Sequence, residues 1–244
     1  MLRQFINYAD NLYNYVYKTP DPVLRLVSLK DRRDFLQASR DLMNENAIEY
    51  LDDEITNDDF CTIEGDFPFK TLPVLHVDRE TISHPNTILR YVGRICKLYP
   101  SKDMMNSAVV DQWIEYHTEF MYPISMNMYP DKMGLELSQT QLSNHKQWLM
   151  TTHIPQYFIL LEEKLQLSEW ICTDTKSAAD YCWLATLKWL FCGQFSGIDY
   201  TYFAEYPNVK SYLLSNIKSN LLRNLNVSVA ASSSSSLSSV PENS

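Results

Sequence analysis

The sequence PFKTLPVLHVDRETISHPNTILRYV, residues 68–92, decides the fold of this 244-residue chain. Within it, Val74–Val77 and Glu80–Ser83 have the length of short strands, and Asp78-Arg79 between them fits a hairpin turn. A helical pattern then runs from Asn86 to Lys97. The stretch therefore predicts two antiparallel strands followed by a helix.

Upstream of this hairpin, strand and helix signals alternate. Val23–Leu29 is rich in valine and leucine and has strand length, and Asp31 can cap a helix that extends to Met43. Ile48–Leu51 indicates a second strand, and the acidic segment Asp52–Asp66 indicates an irregular connection. A β-α-β order followed by β-β-α predicts a small mixed sheet of four strands, as in thioredoxin-like domains.

Downstream of Tyr99-Pro100-Ser101, the pattern is purely helical. The first long helix is predicted to place Val109, Trp113, Tyr116 and Phe120 on one face, and Pro155 is expected to kink a second long helix. A further helix is predicted at Pro207–Ile217. These signals add an all-helical region to the mixed sheet.

A second informative stretch is SEWICTDTKSAADYCWLA, residues 168–185. Ser177 and Asp180 have the spacing of a capping box, in which two residues satisfy each other's backbone donors at a helix start. The apolar run Tyr181–Phe191 follows at once. We therefore predict a buried helix that begins with this box.

Composition excludes several function classes. The chain has 21 basic and 30 acidic side chains, for a net charge of −9, and 45% of its residues are hydrophobic. This acidity disfavours nucleic-acid partners, whose backbone is a polyanion. With only 5 glycines, the chain contains neither a GxGxxG motif nor a P-loop for nucleotide phosphates.

The five cysteines are odd in number and show no CxxC spacing, which is typical of a reduced, cytoplasmic chain. The five histidines form no ligand motif with them, so no metal site is predicted. The longest apolar stretch, Tyr181–Leu187, is too short to span a membrane, and the first 18 residues lack the pattern of a secretory signal.

The two quoted stretches resemble those of the cytosolic glutathione S-transferases. Residues 68–92 resemble the family pattern PF-x-x-(V/I)-P-(V/I)-L with its hairpin and helix, and residues 168–185 resemble W-L-x-G-x-x-x-(S/T)-x-A-D. The nearest class is sigma, which includes haematopoietic prostaglandin D synthase and the lens S-crystallins. The match runs without a gap from Val23 to Val92 and resumes through residues 103–215.

The resemblance implies a thioredoxin-like domain followed by an all-α glutathione-transferase domain. It also implies a homodimer and a cleft between the domains for a hydrophobic small molecule. The predicted segments are an extra N-terminal helix at 1–18, a thioredoxin-like domain at 19–98, a helical domain at 103–222 and a disordered serine-rich tail at 226–244.

In this family, the residue before a cis-proline offers its backbone N–H and C=O to glutathione. Leu72-Pro73, preceded by Thr71, matches that dipeptide. The catalytic tyrosine, whose hydroxyl stabilises the glutathione thiolate, corresponds to Leu29, which has no donor. The neighbouring Ser28 is a fallback hydroxyl only if the strand register slips by one residue.

Other glutathione contacts of the family also change. Phe35 stands at an arginine position, Phe60 at a tryptophan position, and Glu64 at a lysine position that pairs with the glycine carboxylate. His84 and Pro85 replace the Gln-Ser pair that grips the γ-glutamyl end. The family's usual glycines correspond to Asp34, Lys70 and Arg79.

Two of the matched positions leave alternatives open. Glu119 falls at or beside an acidic position that reaches across the family's dimer interface, and it is also explained as a solvated carboxylate. His84 is either a base or anion contact, or a structural residue at a helix start.

Two functions follow from the resemblance. The first is a glutathione S-transferase-like pseudoenzyme with a degraded glutathione site, used for binding or structure. The alternative is an active transferase that conjugates glutathione to hydrophobic electrophiles or isomerises a lipid. No tightly bound cofactor is implied, and glutathione is the expected cosubstrate in the second case. Whether the chain is an enzyme stays open at this point.

Overall fold

The computed structural model of the chain describes residues 22–30, 36–172 and 174–217. The predicted N-terminal helix and serine-rich tail lie outside these ranges, as do Asp31 and Phe35. By its internal contacts, the described chain divides into two compact units. The sheet unit comprises residues 22–30 and 49–88, and the helical unit comprises 36–48 and 89–217.

The sheet unit is built on four strands in the order β2-β1-β3-β4. Their bounds are β1 Leu24–Leu29, β2 Leu51–Ile55, β3 Val74–Val77 and β4 Glu80–Ser83. Strand β1 pairs with β2 in parallel and with β3 in antiparallel orientation, and β3 pairs with β4 as a hairpin. The predicted hairpin and four-stranded mixed sheet are confirmed.

The prediction for the second strand was wrong. It put the strand at Ile48–Leu51 and an irregular connection at Asp52–Asp66, whereas β2 extends from Leu51 to Ile55 and a helix, α2, follows at Asn57–Ile63. Strand β2 lies at the edge of the sheet, and most of its side chains are exposed. Acidic residues are tolerated there because water solvates them.

The described helices, apart from short 3₁₀ turns, are α1 Gln37–Glu45, α2, α3 Pro85–Ile95, α4 Met104–Met128, α5 Gln139–Trp148, α6 Ile154–Leu167, α7 Ala178–Phe191 and α8 Pro207–Asn216. A π-helical turn at Leu149–His153 joins α5 to α6, and Pro155 is the second residue of α6. None of the helices in the described ranges combines the length and apolar character that a membrane crossing requires.

Helix α4 buries a stripe that differs in part from the four residues predicted to share a face. Its buried residues include Val110, Ile114, His117 and Phe120, whereas Trp113 and Tyr116 are only half-buried. The buried stripe is offset by one residue from three of the four predicted positions, and the Trp113 and Tyr116 rings contact the Trp183 ring of α7. Trp113 and Tyr116 consequently flank the core and reach the surface.

Helix α7 forms the centre of the helical unit, and its start confirms the predicted capping box. The Asp180 carboxylate is fully buried. It accepts hydrogen bonds from the Ser177 backbone N–H and hydroxyl, both at 2.8 Å, from the Ile171 N–H at 3.0 Å and from the Tyr212 hydroxyl at 2.8 Å. One side chain thus joins the loop before α7 and helix α8 to the start of α7.

Candidate functional site

The end of β1 is the position at which the resemblance expects a catalytic hydroxyl. Leu29 pairs with Ile55 of β2, and Val27 pairs with Val74 of β3. Continuing that antiparallel register by two residues puts Leu29 opposite Leu72. Since side chains alternate along a strand, Leu29 shares the face of Val27, and Ser28 lies on the opposite face.

Neither side chain at the end of β1 is set up to hydrogen-bond a ligand on the Val27 face. Leu29 is 8% exposed and carries no polar atom, and Ser28 is 1% exposed within the other face of the sheet. The register is fixed by pairing on both sides of β1. The strand geometry therefore disfavours the slip that would bring Ser28 to the Leu72 side.

The loop before β3 carries the cis-proline that the sequence predicts. The peptide bond between Leu72 and Pro73 is cis. The Thr71 hydroxyl donates a hydrogen bond to the Leu72 carbonyl at 3.2 Å, so one lone pair of that acceptor is already used. Leu72 as a residue is half-buried, and the strand register puts it beside the end of β1.

An apolar cluster lies on the Val27 face, where the resemblance expects polar ligand contacts. Val27, Phe67 and Val74 form its buried part, with Ile55, Phe60 and Leu72 packed against them. Phe60 stacks on Phe67 with 6.1 Å between ring centroids. Phe60 therefore helps to fill the core of the sheet unit, and it offers no hydrogen-bond donor.

Two of the other positions that the resemblance matches to glutathione contacts carry groups that do not favour an anion. Glu64 is half-buried at the start of a 3₁₀ turn, and its carboxylate stands where the resemblance expects the ammonium of a lysine. Pro85 is the first residue of α3, so the first position of that helix has no N–H. Helix N-termini bind anions through such N–H groups, and α3 has lost one of them.

His84 precedes α3 in a left-handed backbone conformation, with φ of 72°. Its side chain is exposed, and its ring centroid lies 5.3 Å from that of Phe69, which is 78% exposed. The buried Ser83 donates its hydroxyl to the Pro68 carbonyl at 3.3 Å, which ties the end of β4 to the same loop. Sequence reasoning did not single out Ser83 or Phe69, and the Pro68-Phe69 pair in the family motif was the available signal.

The loop stores backbone strain at two consecutive residues. Phe69 and Lys70 have φ of 59° and 47°, in the left-handed region that favours glycine. Glycine is the residue that the resemblance expects at Lys70. A non-glycine residue in this conformation destabilises the folded chain by about 1–2 kcal/mol. Glycine avoids that strain, but it also makes the unfolded chain more flexible, which offsets part of the gain.

We expect Lys70→Gly to raise the free energy of unfolding by about 0.5–1 kcal/mol. The melting temperature, measured by calorimetry, should rise by about 2 °C. Lys102→Gly is the matched control, because Lys102 is exposed and has no positive φ. That variant should be neutral or slightly destabilised, and an equal rise in both variants would contradict the strain explanation.

Two matched positions fall outside the sheet unit as described. Phe35 lies outside the described residues. Glu119 belongs to the helical unit, where it is exposed on α4. Burial raises the pKa of Tyr116 to about 12, and the neighbouring Tyr157 and the negative charge of Glu119 add to that rise.

An apolar groove of about 500 Å³ runs between α4 and α6 in the helical unit. Trp113, Tyr116, Leu160 and Leu167 supply its apolar lining, and Gln112, Glu163 and Lys164 complete it. The Tyr116 hydroxyl is buried and has no hydrogen-bond partner within the described part of the chain. The groove is thus an exposed apolar surface with an unused polar atom beside it.

Comparison with known proteins places these features in a known fold. No family model matches the chain. Glutathione S-transferase 1 of Ascaris suum is 29% identical over 91 residues, which cover 37% of this chain and 44% of the relative. The matched stretch therefore spans less than half of that curated relative.

Solved structures match over most of their length. Prostaglandin synthase D of Nilaparvata lugens has a TM-score of 0.68 at 18% identity and covers 80% of this chain and 92% of its own. Na-GST-3, a monomeric glutathione S-transferase from the hookworm Necator americanus, has a TM-score of 0.66 at 20% identity, with 79% and 90% covered. The predicted thioredoxin-like domain followed by a helical domain is confirmed, and this chain has the glutathione S-transferase fold.

Proposed function

We propose that this chain is a glutathione S-transferase-like pseudoenzyme, which keeps the scaffold for binding or structure and no longer activates glutathione. The observation that carries the proposal is Leu29 at the end of β1. The paired strands on both sides of β1 fix its register, so the position opposite Leu72 holds an apolar side chain.

Without a hydroxyl at this position, the chain lacks the group that would stabilise the glutathione thiolate, and forming that thiolate is the first step of conjugation. A free thiol with a pKa of about 8.5 is only about 3% thiolate at pH 7, and a hydroxyl donor raises that fraction by stabilising the anion. A leucine cannot donate. Any glutathione bound beside Leu29 would therefore remain almost entirely a thiol at neutral pH.

Binding is weakened separately from the chemistry. Each lost charged hydrogen bond costs about 1.5–3 kcal/mol, and Glu64 adds repulsion toward a carboxylate of the ligand. The Leu72 backbone contact is the one that these substitutions leave in place. Even with incomplete additivity, the combined losses correspond to about a thousandfold weaker affinity.

We expect the unmodified chain to pass through immobilised glutathione without retention. Millimolar glutathione should leave its melting temperature unchanged, since a ligand that does not bind the native state cannot stabilise it. Differential scanning fluorimetry measures this directly, with S-hexylglutathione as a second probe. A shift of several degrees, or conjugation of a chlorinated aromatic electrophile, would overturn the proposal.

Ser28 provides the test of the competing active-transferase hypothesis. If conjugation is detected, Ser28→Ala should abolish it only if the buried serine reaches the ligand face. Ser83→Ala is a suitable control, since Ser83 is another buried hydroxyl of the sheet unit. Activity that survives Ser28→Ala would require a different source of thiol activation.

We also propose that the chain forms a homodimer through the groove between α4 and α6. Exposed apolar patches of this kind mark protein–protein contacts. Leu160 is 45% exposed and Leu167 is 84% exposed, so both are costly to leave in water on a monomer. A second copy of the chain would cover them.

Leu160→Glu should convert the dimer into a monomer, because it places a charge in the apolar groove. Ile159→Glu is the matched control: Ile159 is 50% exposed on the same helix but does not line the groove. Sedimentation equilibrium should give the mass of one chain for the first variant and of two chains for the second. Equal masses for both variants would contradict an interface at this groove.

The remaining assignments rest on the sequence: the quoted motifs carry the class and the ligand, and the cysteine pattern carries the location. We propose sigma class, a cytoplasmic location and a hydrophobic small molecule as ligand. The likeness to a prostaglandin synthase supports the class. Fluorescence of the five tryptophans, all in the helical half of the sequence, offers a direct readout for screening apolar ligands.

A further inference from the structure

A cysteine, a histidine and a threonine form a buried polar cluster inside the helical unit. The Cys182 sulfur lies 3.0 Å from Nδ1 of His117, and Nε2 of the same ring lies 2.7 Å from the Thr186 hydroxyl. Cys182 and His117 are each 5% exposed and Thr186 is 1% exposed. The glutathione positions of the sheet unit include none of these residues.

Two packed helices hold this cluster in place. Cys182 and Thr186 are four residues apart on α7 and so lie on one face of it, while His117 comes from α4. The ring of Trp183 meets the His117 ring edge-on, with 5.2 Å between centroids. Trp183 is in turn fixed by a hydrogen bond from its indole N–H to the Trp113 carbonyl at 3.1 Å.

The hydrogen bonds leave one proton shared between sulfur and imidazole. When Nε2–H donates to Thr186, the lone pair on Nδ1 accepts from the Cys182 thiol. When the proton moves to Nδ1, the imidazole donates to a thiolate. A nucleophile, a base and a group that orients the base are thus arranged as in cysteine-dependent sites.

We propose that Cys182 is a peroxide-reactive thiol, with His117 as its acid–base partner and Thr186 as the positioning residue. The substrate class is hydrogen peroxide. Because Cys182 is nearly buried, only a reagent close to the size of water can reach its sulfur without unfolding the helices. The inference does not depend on whether the chain binds glutathione.

The reaction balances with these groups alone. The Cys182 thiol gives its proton to His117, and the resulting thiolate attacks one peroxide oxygen. A sulfur–oxygen bond forms, the oxygen–oxygen bond breaks, and sulfur loses two electrons to the peroxide. The departing hydroxide takes the proton from His117 as water, leaving a sulfenic acid on Cys182.

The other cysteines provide internal references. Burial raises the pKa of both Cys96 and Cys192, which lowers their thiolate fraction at neutral pH. Each is half-buried, and so each is more accessible than Cys182. Faster oxidation of Cys182 than of these two would therefore reflect its partner and not its exposure.

The test treats the native full-length chain with hydrogen peroxide at pH 7, removes the peroxide with catalase at set times, and then unfolds the chain in denaturant that contains dimedone to trap the sulfenic acid. Peptide mass spectrometry then follows each cysteine over time. We expect Cys182 to be labelled at least about tenfold faster than Cys192, and His117→Asn to slow Cys182 by at least about tenfold. Thr186→Val, which keeps the shape of the side chain, should slow it less.

The direction of the His117→Asn effect separates chemistry from unfolding. If the only requirement were opening of the helices, a destabilised variant would expose Cys182 more often and label faster. Oxidation of Cys182 only when the peroxide itself is added in denaturant would overturn the proposal. An unchanged or increased rate of Cys182 oxidation in His117→Asn would also overturn it. If His117→Asn does not fold, an unchanged or increased rate in Thr186→Val overturns the proposal instead.

Discussion

Asp180→Ala is expected to cost about 4 kcal/mol of the free energy of unfolding. The variant deletes the acceptor of four hydrogen bonds and leaves the N–H groups of Ile171 and Ser177 and the Tyr212 hydroxyl buried without a partner. Domains of this kind are stable by only about 5–15 kcal/mol, so the loss is a large fraction of the total. Thermal unfolding should show a melting temperature lower by roughly 10 °C.

A graded series tests whether the hydrogen bonds are responsible. Asp180→Asn keeps Oδ1, which accepts from Ile171 and Tyr212, and loses the acceptor for Ser177, so it should be intermediate. Tyr212→Phe removes one donor and should cost about 1–2 kcal/mol. Equal losses in all three variants would mean that packing, and not hydrogen bonding, dominates.

Glu162→Ala is the matched control for Asp180→Ala, because Glu162 caps the start of another helix. Its carboxylate accepts from the backbone N–H groups of Asn208 and Val209 at 2.8 Å, at the start of α8. It is half-buried, so water can replace it in part. We expect a loss of about 1 kcal/mol, well below that of Asp180→Ala.

The elements that sequence could predict are those with strong local signals. The hairpin around Asp78-Arg79 and the capping box at Ser177 were both found, because turn and cap chemistry is encoded within a few residues. Strand β2 was placed too early because its sequence, LDDEI, has no apolar stripe. Its place in the sheet comes from pairing with β1, and an edge strand needs only one partner.

The residues of the candidate site also divide into those that have a local sequence signal and those that do not. The cis-proline at Leu72-Pro73 could be predicted because a whole motif surrounds it. The positions of the residues with left-handed backbone conformations could be predicted less well. Lys70 occupies an expected glycine conformation, but in the hairpin the positive φ falls on Asp78 and not on Arg79. The shortage of glycine is thus met by L-residues in strained turns, and composition alone does not say which residues these are.

The cluster at Cys182 had no signal in the sequence at all. His117 and Cys182 are 65 residues apart, and neither forms a motif with its sequence neighbours. Only the packing of α4 against α7 brings them together. Contacts of this kind depend on helix rotation, and the buried stripe of α4 likewise differs by one residue from most of the positions predicted to share a face.

The triple variant Leu29→Tyr, Glu64→Lys, Pro85→Ser is expected to bind glutathione about a thousandfold more tightly than the unmodified chain. The three changes supply a hydroxyl at the end of β1, an ammonium in place of a carboxylate, and an N–H and hydroxyl at the start of α3. The cis Leu72-Pro73 backbone is already present for the cysteinyl unit. Isothermal titration calorimetry, and the rise in melting temperature at millimolar glutathione, measure the gain.

A second triple variant, with Leu29→Phe in place of Leu29→Tyr, separates binding from chemistry. Phenylalanine imposes nearly the same packing demand on the 8%-exposed position of Leu29 but has no hydroxyl. Both variants should bind glutathione, whereas only the tyrosine variant should conjugate a chlorinated aromatic electrophile. If the tyrosine variant folds and still fails to bind, the residue-by-residue match to the glutathione site is wrong. If the phenylalanine variant conjugates equally well, thiol activation arises elsewhere and Leu29 is not the reason for inactivity.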